Sequence, residues 1–354
     1  MTNYIIRRLL LVPVLLFGVT IIIFGMLQFL GPVERSALYV KDFPKNENQI
    51  RGIIRKYGLD RPIYEQYWRW LTGVKDPVSG EREGGIIFGD FGYSRTGSQP
   101  VIDMIKNRFP NTLDLAIWTV FPMLSVGIWL GVQAAVHQNG FIDQAARVFS
   151  IVGTSFPTFV FGLLVLILFY GQLGWFLPGK NSDWVTQVVI SGEFTRYTKL
   201  LTFDALLNGR FDIFWDALRH MILPILTLSY ISWATFVRVT RSSMLETLRM
   251  EYVTTARAKG LKEKEVINKH ARPNAMLTIV TMAGMSVVGL LGGVVITETV
   301  FNYPGIGQAA ANAAQQLDVV TVLGFAIFNG FILIIANLVV DILYGVIDPR
   351  VRLD

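Results

Sequence analysis

The segment of this chain best suited to a specific task is polar and basic, and it lies between two strongly apolar segments. Residues 250–273 read MEYVTTARAKGLKEKEVINKHARP. A membrane chain that presents such a segment in a cytosolic loop offers a docking element to a soluble partner, which could supply energy that the chain itself lacks. The same pattern also fits an amphipathic helix that lies on the inner surface of the membrane.

The helical pattern of this segment is interrupted once. Apolar residues at intervals of three and four predict a helix with one apolar face, formed by Leu245, Leu248, Tyr252 and Ala256. Gly260 fits the left-handed position that ends a helix, and Leu261 is the apolar residue that closes such an end. Glu263–His270 predicts a second charged helical turn, which Pro273 ends. The break at Gly260 favours a rigid docking lever, because a helix on the membrane surface has no need of one.

Other chemistry-bearing residue types are absent or scattered. The chain has no cysteine, which excludes disulfides, thiolate metal ligands and thiol nucleophiles. His137, His220 and His270 lie in separate loops or at span edges and offer no metal cluster. No Ser–His–Asp arrangement can be argued from spacing, and no G-x-x-x-x-G-K-[ST] phosphate loop occurs. We therefore predict no catalytic residue, no metal site and no cofactor bound by this chain.

Composition places the chain in a membrane. Of its 354 residues, 52% are hydrophobic and only 16% charged, against about 25% charged in soluble domains, and the mean hydropathy is +0.46. Crossing a hydrocarbon core of about 30 Å takes roughly 20 helical residues. Six apolar segments are long enough: Leu9–Leu30, Leu113–Val136, Val148–Tyr170, Met221–Val239, Ala275–Val295 and Val319–Val346. The predicted fold class is an all-α integral membrane protein with six transmembrane helices.

The distribution of basic residues predicts the orientation. The connection Arg238–Arg272 holds nine Lys and Arg residues, whereas Phe301–Asp318 holds none. Since short basic loops stay in the cytosol, the docking segment and both termini are predicted to be cytosolic. Gly31–Asn111 holds 13 Lys and Arg residues, but loops longer than about 60 residues are translocated largely regardless of charge.

The spans divide the chain into four parts. Residues 1–30 form an N-terminal tail and the first helix, 31–111 an extracytoplasmic cap, 112–346 a five-helix core with the coupling loop 240–273, and 347–354 a cytosolic C-terminal tail. In the cap, tyrosines and tryptophans alternate with basic residues over Arg55–Trp70. This mixture could suggest nucleic acid, but the cap faces away from the cytosol. We interpret it as a helix at the membrane interface, with membrane lipid and not nucleic acid as its neighbour.

Small and polar residues in the spans predict contacts between helices. Gly127 with Gly131, and Gly289 with Gly293, have the spacing that lets helices approach closely. Prolines in or near spans are candidates for kinks: Pro122, Pro157 and Pro224. Polar candidates for the translocation pathway, or alternatively for bonding between helices, are Gln28, Glu298, Asn329 and Asn337. Glu298 is expected near the membrane interface, where solvation or a nearby base would stabilise its charge.

EYVTTARAKGL, at Glu251–Leu261, closely resembles the cytosolic coupling loop of binding-protein-dependent ABC importer permeases of the dipeptide, oligopeptide and nickel class. The superfamily pattern is Glu-Ala-Ala, three residues, Gly, nine residues and Ile-x-Leu-Pro, which Ala256, Gly260 and Pro273 match. The departures at positions 254, 255, 270 and 272 are shared by the oligopeptide class. Further stretches resemble the same family: RFPNTLDLAIW at Arg108–Trp118, SFPTFVFGLL at Ser155–Leu164 and ETVFNYPGIG at Glu298–Gly307.

The resemblance implies a translocation subunit without ATPase activity, of the first permease type, in a prokaryotic cell membrane. Its implied partners are two cytosolic ATPase subunits that bind ATP and Mg, a second homologous permease and an extracytoplasmic solute-binding protein. The implied coupling residues are Glu251, Tyr252, Thr255, Ala256, Arg257, Ala258, Lys259, Gly260 and Leu261. ATP-driven closure of the ATPases would move them as a rigid lever and rock the spans from inward-open to outward-open.

The resemblance leaves the solute open between an oligopeptide or dipeptide and an oligosaccharide or nickel complex. Two other classes of protein remain as alternatives. An ion-driven secondary transporter would show inverted repeats and coupling residues near the membrane midplane, and neither is clear in this sequence. A membrane sensor or assembly protein would use Gly31–Asn111 as a receptor and the basic loop as a signalling arm.

Overall fold

The computed structural model describes residues 2–40, 46–75, 80 and 82–347. Within these ranges the regular structure is helical except for four two-residue strands, so the predicted all-α class is confirmed. Residue contacts divide the chain into two compact units, one of Met1–Pro110 with Gly305–Val339 and one of Asn111–Pro304 with Val340–Asp354. The first unit thus contains most of the last span together with the N-terminal residues. The predicted domain boundaries instead place the last span in a core of residues 112–346. The predicted C-terminal tail beyond residue 347 lies outside the described residues.

The elements follow one another with short connections. The N-terminal ones are α1 (Thr2–Leu27), α2 (Pro32–Ser36), α3 (Glu47–Tyr57), α4 (Ile63–Thr72), β1 (Val74–Lys75), β2 (Arg82–Glu83), β3 (Tyr93–Ser94), β4 (Gln99–Pro100), α5 (Val101–Val136), α6 (Phe141–Ser155) and α7 (Thr158–Leu166). They continue with α8 (Asp183–Ile190), α9 (Leu201–Leu207), α10 (Phe211–Leu248), α11 (Glu251–Ala258), α12 (Glu263–Glu265), α13 (Arg272–Leu291), α14 (Val295–Val300), α15 (Ile306–Gln315) and α16 (Val319–Ile347). Turns of 3₁₀ helix cover Ala37–Tyr39 and Ile86–Phe88, and turns of π helix cover Ile167–Gln172 and Val266–Ala271. β1 pairs with β2 and β3 with β4, both antiparallel.

Within the described residues, five helical segments are long and apolar enough to cross a membrane, and six are if a bent pair counts as one span. They overlap the six predicted spans. α5 and α10 begin well before the predicted apolar starts, at Val101 and Phe211. Hydropathy underestimates the length of such helices, because their first turns are polar.

The predicted third span, Val148–Tyr170, is not one continuous helix. The axes of Phe141–Ser155 and Thr158–Gln172 meet at 101°. Pro157 causes the break, because proline lacks an N–H and disfavours helical backbone at the residue before it. Phe156 accordingly has φ −91° and ψ 127°, which is extended. The expectation of a single helix is wrong here, whereas the prediction of a kink at Pro157 is confirmed.

In the first unit, the cap helix α4 lies against the first span. The hydroxyl groups of Tyr67 and Thr20 are 2.8 Å apart. The Tyr67 ring meets that of Phe24 edge to face at 5.3 Å, and the Trp70 ring lies 5.5 Å from Phe24. These contacts support the interpretation of the aromatic cap segment as a helix at the membrane interface.

Asp318 fastens the β3–β4 hairpin to the start of α16 within the same unit. Its carboxylate is 4% exposed and accepts the Ser94 hydroxyl at 3.0 Å, the Thr96 N–H at 2.9 Å and the Thr321 hydroxyl at 2.7 Å. It also caps α16, because the Thr321 N–H donates to its second oxygen at 3.3 Å. Burial pushes the pKa of Asp318 upward, but these hydrogen bonds outweigh burial and hold the pKa below its usual value.

We expect this carboxylate to stabilise the chain only while it is charged. The pKa is lower in the folded chain than in the unfolded chain, so its contribution is complete above the unfolded pKa of about 3.9 and is lost as pH falls through the folded value. Asp318→Asn should lower stability at pH 7 by about 1–2 kcal/mol. Melting temperatures of the purified chain in detergent should therefore differ at pH 7 and converge below about pH 4. A constant difference at all pH values would contradict this role.

In the second unit, α5 and α10 approach closely at two glycines. A Cβ atom added to Gly131 would lie 2.5 Å from the Cβ of Thr240, and one added to Gly127 would lie 2.7 Å from the Cβ of Phe236. The structure thus places the first predicted glycine pair in a helix contact. The second pair does not form one helix face, because α13 ends at Leu291.

Gly289 and Gly293 have different surroundings from the first pair. Among the described residues, nothing lies within 4 Å of a Cβ atom added to Gly289. Gly293 follows the helix and has φ 91°, in the left-handed region. Gly289 therefore provides a matched control for Gly131, since both are helical glycines of predicted spans.

Gly131→Ala is expected to destabilise the chain by about 1–3 kcal/mol, because the methyl group would overlap Thr240 in a packed contact. Gly289→Ala should be neutral or slightly stabilising, since alanine favours a helix by roughly 0.5–1 kcal/mol over glycine. Melting temperatures of the two variants in the same detergent compare the sites directly. Equal effects would argue against the close approach of α5 and α10.

Candidate coupling surface

α11 is a two-turn helix with a defined end. Glu251 lies in its first turn, where the helix dipole favours a negative charge. Gly260 has φ 78°; its N–H donates to the Arg257 carbonyl at 2.9 Å, and the Leu261 N–H donates to the Ala256 carbonyl at 3.4 Å. These two hydrogen bonds form a Schellman motif, which requires a left-handed residue at the position of Gly260. The predicted helix end at Gly260 is confirmed.

The inner side of α11 is anchored in an apolar cluster of the second unit. Val253 is fully buried and Ala256 is 5% exposed. The other buried members come from α5, α10, α13 and the π turn before α13: Val132, Ala135, Met244, Val266, Ala271 and Ala275. Burial of a valine side chain contributes about 1.5–3 kcal/mol. α11 is therefore packed against three long helices.

The outer side of α11 and its cap forms an exposed surface, which we call the docking face. Its exposed residues are Tyr252, Thr255, Ala258, Lys259, Gly260 and Leu261. Tyr252 is 43% and Leu261 38% exposed, so two apolar side chains border a patch of small residues and one lysine. Such a surface can enter a groove of another protein without a large desolvation cost.

Tyr252 was predicted on one apolar helix face with Leu245, Leu248 and Ala256, but Tyr252 is 43% exposed whereas Ala256 is 5% exposed, so these residues do not share one face. α10 ends at Leu248, and the next helix starts at Glu251. The break at Arg249 and Met250 changes the helical phase. As a result Val253, and not its neighbour Tyr252, takes the buried position. Periodicity counted across a helix boundary assigns the wrong face.

An ion pair spans the turn at Gly260. Nε and Nη2 of Arg257 donate to the two carboxylate oxygens of Glu263 at 3.1 and 2.7 Å. The hydrogen bonds from Arg257 hold the pKa of Glu263 below its usual value. Both side chains are about half exposed, so the pair adds at most about 1 kcal/mol. Its effect is geometric, because it holds α11 and α12 at one angle.

A second, buried ion pair joins α6 to α10. The Asp143 side chain is fully buried, and its oxygens accept Nε and Nη2 of Arg241 at 2.5 and 2.9 Å. The Asn139 N–H donates to the same carboxylate at 2.9 Å, and Arg147 lies 3.6 Å away. Sequence reasoning missed this pair, because 98 residues separate the partners. The available signal was an aspartate in the first turn of a largely apolar helix.

Solvation or a nearby base was expected to stabilise the charge of Glu298 near the interface, and of these two alternatives solvation is wrong. Glu298 is fully buried on α14, and its Oε1 accepts the Thr112 hydroxyl at 2.7 Å. Asn111, the residue before Thr112, donates to the Pro304 carbonyl at 2.8 Å. The short helix α14 turns Glu298 inward, where a hydroxyl of α5 supplies the hydrogen bond that water would give.

A further buried acid, this one on α5, contacts the segment between α7 and α10. Asp114 is fully buried and accepts the Thr202 hydroxyl at 2.5 Å and the Thr202 N–H at 3.2 Å. The Trp118 indole donates to the same hydroxyl at 2.9 Å. Burial lowers the pKa of Lys180 to about 8, and the charge of Asp114 opposes this shift. None of these residues was predicted as a site residue from the sequence.

The remaining polar candidates lie in the first unit. Gln28 follows α1, and its Oε1 accepts Nη1 of Arg35 at 2.5 Å. Asn329 is half-buried and Asn337 exposed, both on α16. The role of Gln28, Asn329, Asn337 and Glu298 in a translocation pathway stays a prediction.

Two segments of the chain match family descriptions. Residues 127–353 match the binding-protein-dependent transport system inner membrane component. Residues 1–116 match the N-terminal part described for membrane components of binding-protein-dependent transport systems.

Curated relatives match over nearly the whole chain. The probable D,D-dipeptide transport system permease protein DdpB of Escherichia coli K12 is 37% identical over 94% of this chain and 93% of its own length. The dipeptide transport system permease protein DppB of the same organism is 35% identical over 99% of both chains. The oligopeptide transport system permease protein AppB of Bacillus subtilis is 34% identical over 99% of this chain and 100% of its own length.

Proposed function

This chain belongs to the family of binding-protein-dependent transport system inner membrane components, and we propose that it is the permease subunit of an ATP-driven importer of short peptides. The relatives are named as permease proteins of D,D-dipeptide, dipeptide and oligopeptide transport systems. The proposed solute is therefore a dipeptide or oligopeptide. The observation that carries the coupling role is the docking face, exposed on a helix whose other side is buried.

The energy source is proposed to lie in partner subunits. The sequence contains no phosphate-binding loop, so ATP and Mg are assigned to two cytosolic ATPase subunits. A second, homologous permease completes the translocation path, and an extracytoplasmic solute-binding protein delivers the peptide. The family description itself names transport as dependent on a binding protein.

The proposed mechanism uses α11 as a rigid lever. The docking face rests in a groove of the ATPase, so closure of the ATPase pair on ATP displaces α11. Val253 and Ala256 tie α11 to α5, α10 and α13, and the displacement therefore moves the spans as well. The docked α11 contacts the ATPase differently in the inward-open and outward-open states. ATP binding shifts the equilibrium between these two states only because of that difference.

The chain is a multi-pass protein of the inner membrane. We propose that the docking face and both termini are cytosolic. The nine basic residues of Arg238–Arg272 support this orientation. The cap of Gly31–Asn111 then faces the side on which the solute arrives.

Transport in proteoliposomes tests the function. The complex purified through this chain is reconstituted, supplied with its external binding protein and a labelled dipeptide, and given ATP on the ATPase side. We expect uptake that requires ATP and is unchanged when ionophores collapse the ion gradients. Uptake that follows an ion gradient without ATP would support the secondary-transporter alternative instead. Competition by unlabelled dipeptides, and none by oligosaccharides, is expected for the proposed solute class.

A further inference from the structure

A cavity of about 440 Å³ lies within the first unit, apart from every residue assigned to coupling. One wall is formed by Leu27 at the end of α1 and by Val320, Leu323 and Ile327 near the start of α16. Both helices are apolar enough to span the membrane, so this wall lies at the depth where the spans leave the hydrocarbon core. The volume falls within the range of ligand sites, roughly 300–1,000 Å³.

The lining of the cavity also includes two arginines, Arg69 of α4 and Arg82 of β2. Within the described part of the chain, no carboxylate lies within 4 Å of either guanidinium group. The Arg82 guanidinium lies over the Phe88 ring, 4.5 Å from its centroid. Both charges therefore remain available to an anion in the cavity.

The two acids of the cavity wall are already engaged. Glu83 accepts the Lys56 ammonium at 2.7 Å and the Tyr57 hydroxyl at 2.9 Å. Asp90 accepts two backbone N–H groups, those of residues 84 and 92, at 3.1 and 2.9 Å. Counting Lys56 with the lining residues, three basic side chains face two acidic ones, so the described charges at the cavity sum to +1.

A third guanidinium group is buried close to the cavity. Arg35 is 7% exposed and donates to the amide oxygens of Gln28 and Gln66, both at 2.5 Å, neither of which carries charge. Its Nε has no partner among the described residues. Arg35 is near enough to the cavity residue Tyr39 for its charge to oppose the effect of burial, which raises the pKa of Tyr39 to about 12. Among the described residues Arg35 has no carboxylate partner, and a buried charge without a counter-ion is costly, so an anion nearby is favoured.

We propose that this cavity binds an anionic phospholipid, with its phosphate between Arg69 and Arg82 and its first acyl methylenes along Leu27, Leu323 and Ile327. Charge complementarity selects an anion, since the arginines are uncompensated and the acids are engaged. The apolar wall from two spans selects a lipid over free phosphate, which would leave that wall without a partner. Trp70 and the tyrosines of the cavity are typical of the depth at which lipid headgroups lie.

Lipid retention tests the site independently of transport. The full chain, purified with its partners, is stripped of lipid and equilibrated with mixed micelles of phosphatidylglycerol and phosphatidylcholine. The phospholipid bound per chain is then counted by native mass spectrometry. We expect phosphatidylglycerol to be retained preferentially, and the double variant Arg69→Gln/Arg82→Gln to retain it at least about tenfold more weakly, since each charge-assisted hydrogen bond is strong.

Two further variants separate binding from folding. Leu323→Trp narrows the cavity without changing its charge and should also weaken lipid retention. Arg51→Gln on α3 removes an arginine whose exposed side chain pairs with Glu47, and it should retain lipid as the parent chain does. Equal retention by all variants, or no preference for the anionic lipid, would overturn the proposal. Inorganic phosphate that binds with the same arginine dependence, insensitive to Leu323→Trp, would also overturn it in favour of a free-anion site.

Discussion

Replacing Gly260 with proline is expected to reduce peptide uptake to background while leaving the chain inserted in the membrane. Proline fixes φ near −65°, whereas Gly260 has φ 78°. Proline also lacks the N–H that donates to the Arg257 carbonyl at 2.9 Å. The cap of α11 would be lost, and Leu261 would leave its place at the edge of the docking face. Uptake by the reconstituted complex, normalised to the amount of chain, measures the effect.

Gly260→Asn is the matched control for this position. Asparagine adopts left-handed backbone more readily than other residues with a side chain and keeps the N–H. Among the described residues, nothing lies within 4 Å of a Cβ atom added at Gly260, so the side chain has room. Uptake should stay close to that of the parent chain. Normal uptake by a well-expressed Gly260→Pro variant would remove the rigid-lever mechanism.

Asp143→Asn is expected to cause the second large effect, a loss of about 3 kcal/mol in stability, because it leaves Arg241 without its buried counter-ion. For a chain of 354 residues, the loss corresponds to a fall in melting temperature of about 4 °C. The melting temperature of the purified chain in detergent measures it.

Asp212→Asn provides the control for Asp143→Asn. Asp212 also lies in the first turn of a helix and binds an arginine, Arg210, at 2.7 Å, but both side chains are about a third or more exposed. An exposed pair contributes little to stability, so this variant should melt close to the parent chain. Equal small shifts for both aspartates would show that the link between α6 and α10 is not a main support of the second unit.

Local signals in the sequence were sufficient for the helices and for the end of α11. Runs of apolar residues were enough to locate all six spans, because the hydrophobicity that places a helix in lipid depends only on the residues of that helix. Gly260 and Leu261 predicted the Schellman cap, because that motif depends only on residues within one turn. The residues of the docking face are among those that the family resemblance implied as coupling residues, whereas Thr254, which is exposed on the same helix, is not.

Features that depend on distant parts of the chain were not predictable from sequence. The partner of Asp143 is 98 residues away, and the donor to Glu298 is 186 residues away. When such partners are not known, a carboxylate near the end of a span is expected to be exposed to solvent. The burial of Val253 instead of Tyr252 depended on the break after α10, and helix boundaries are the least certain part of a periodic pattern.

A single cysteine in the docking face tests its contact with an ATPase most directly. The chain has no cysteine of its own, so Ala258→Cys introduces one reactive thiol at an exposed position. With a short thiol–amine reagent, the assembled complex should give a cross-link from residue 258 to an ATPase subunit, with a yield that changes when ATP is added. Thr195→Cys, exposed in the segment between α8 and α9, should give none. Cross-links to the ATPase from elsewhere in the chain, with none from residue 258, would contradict the assignment of α11 as the coupling helix.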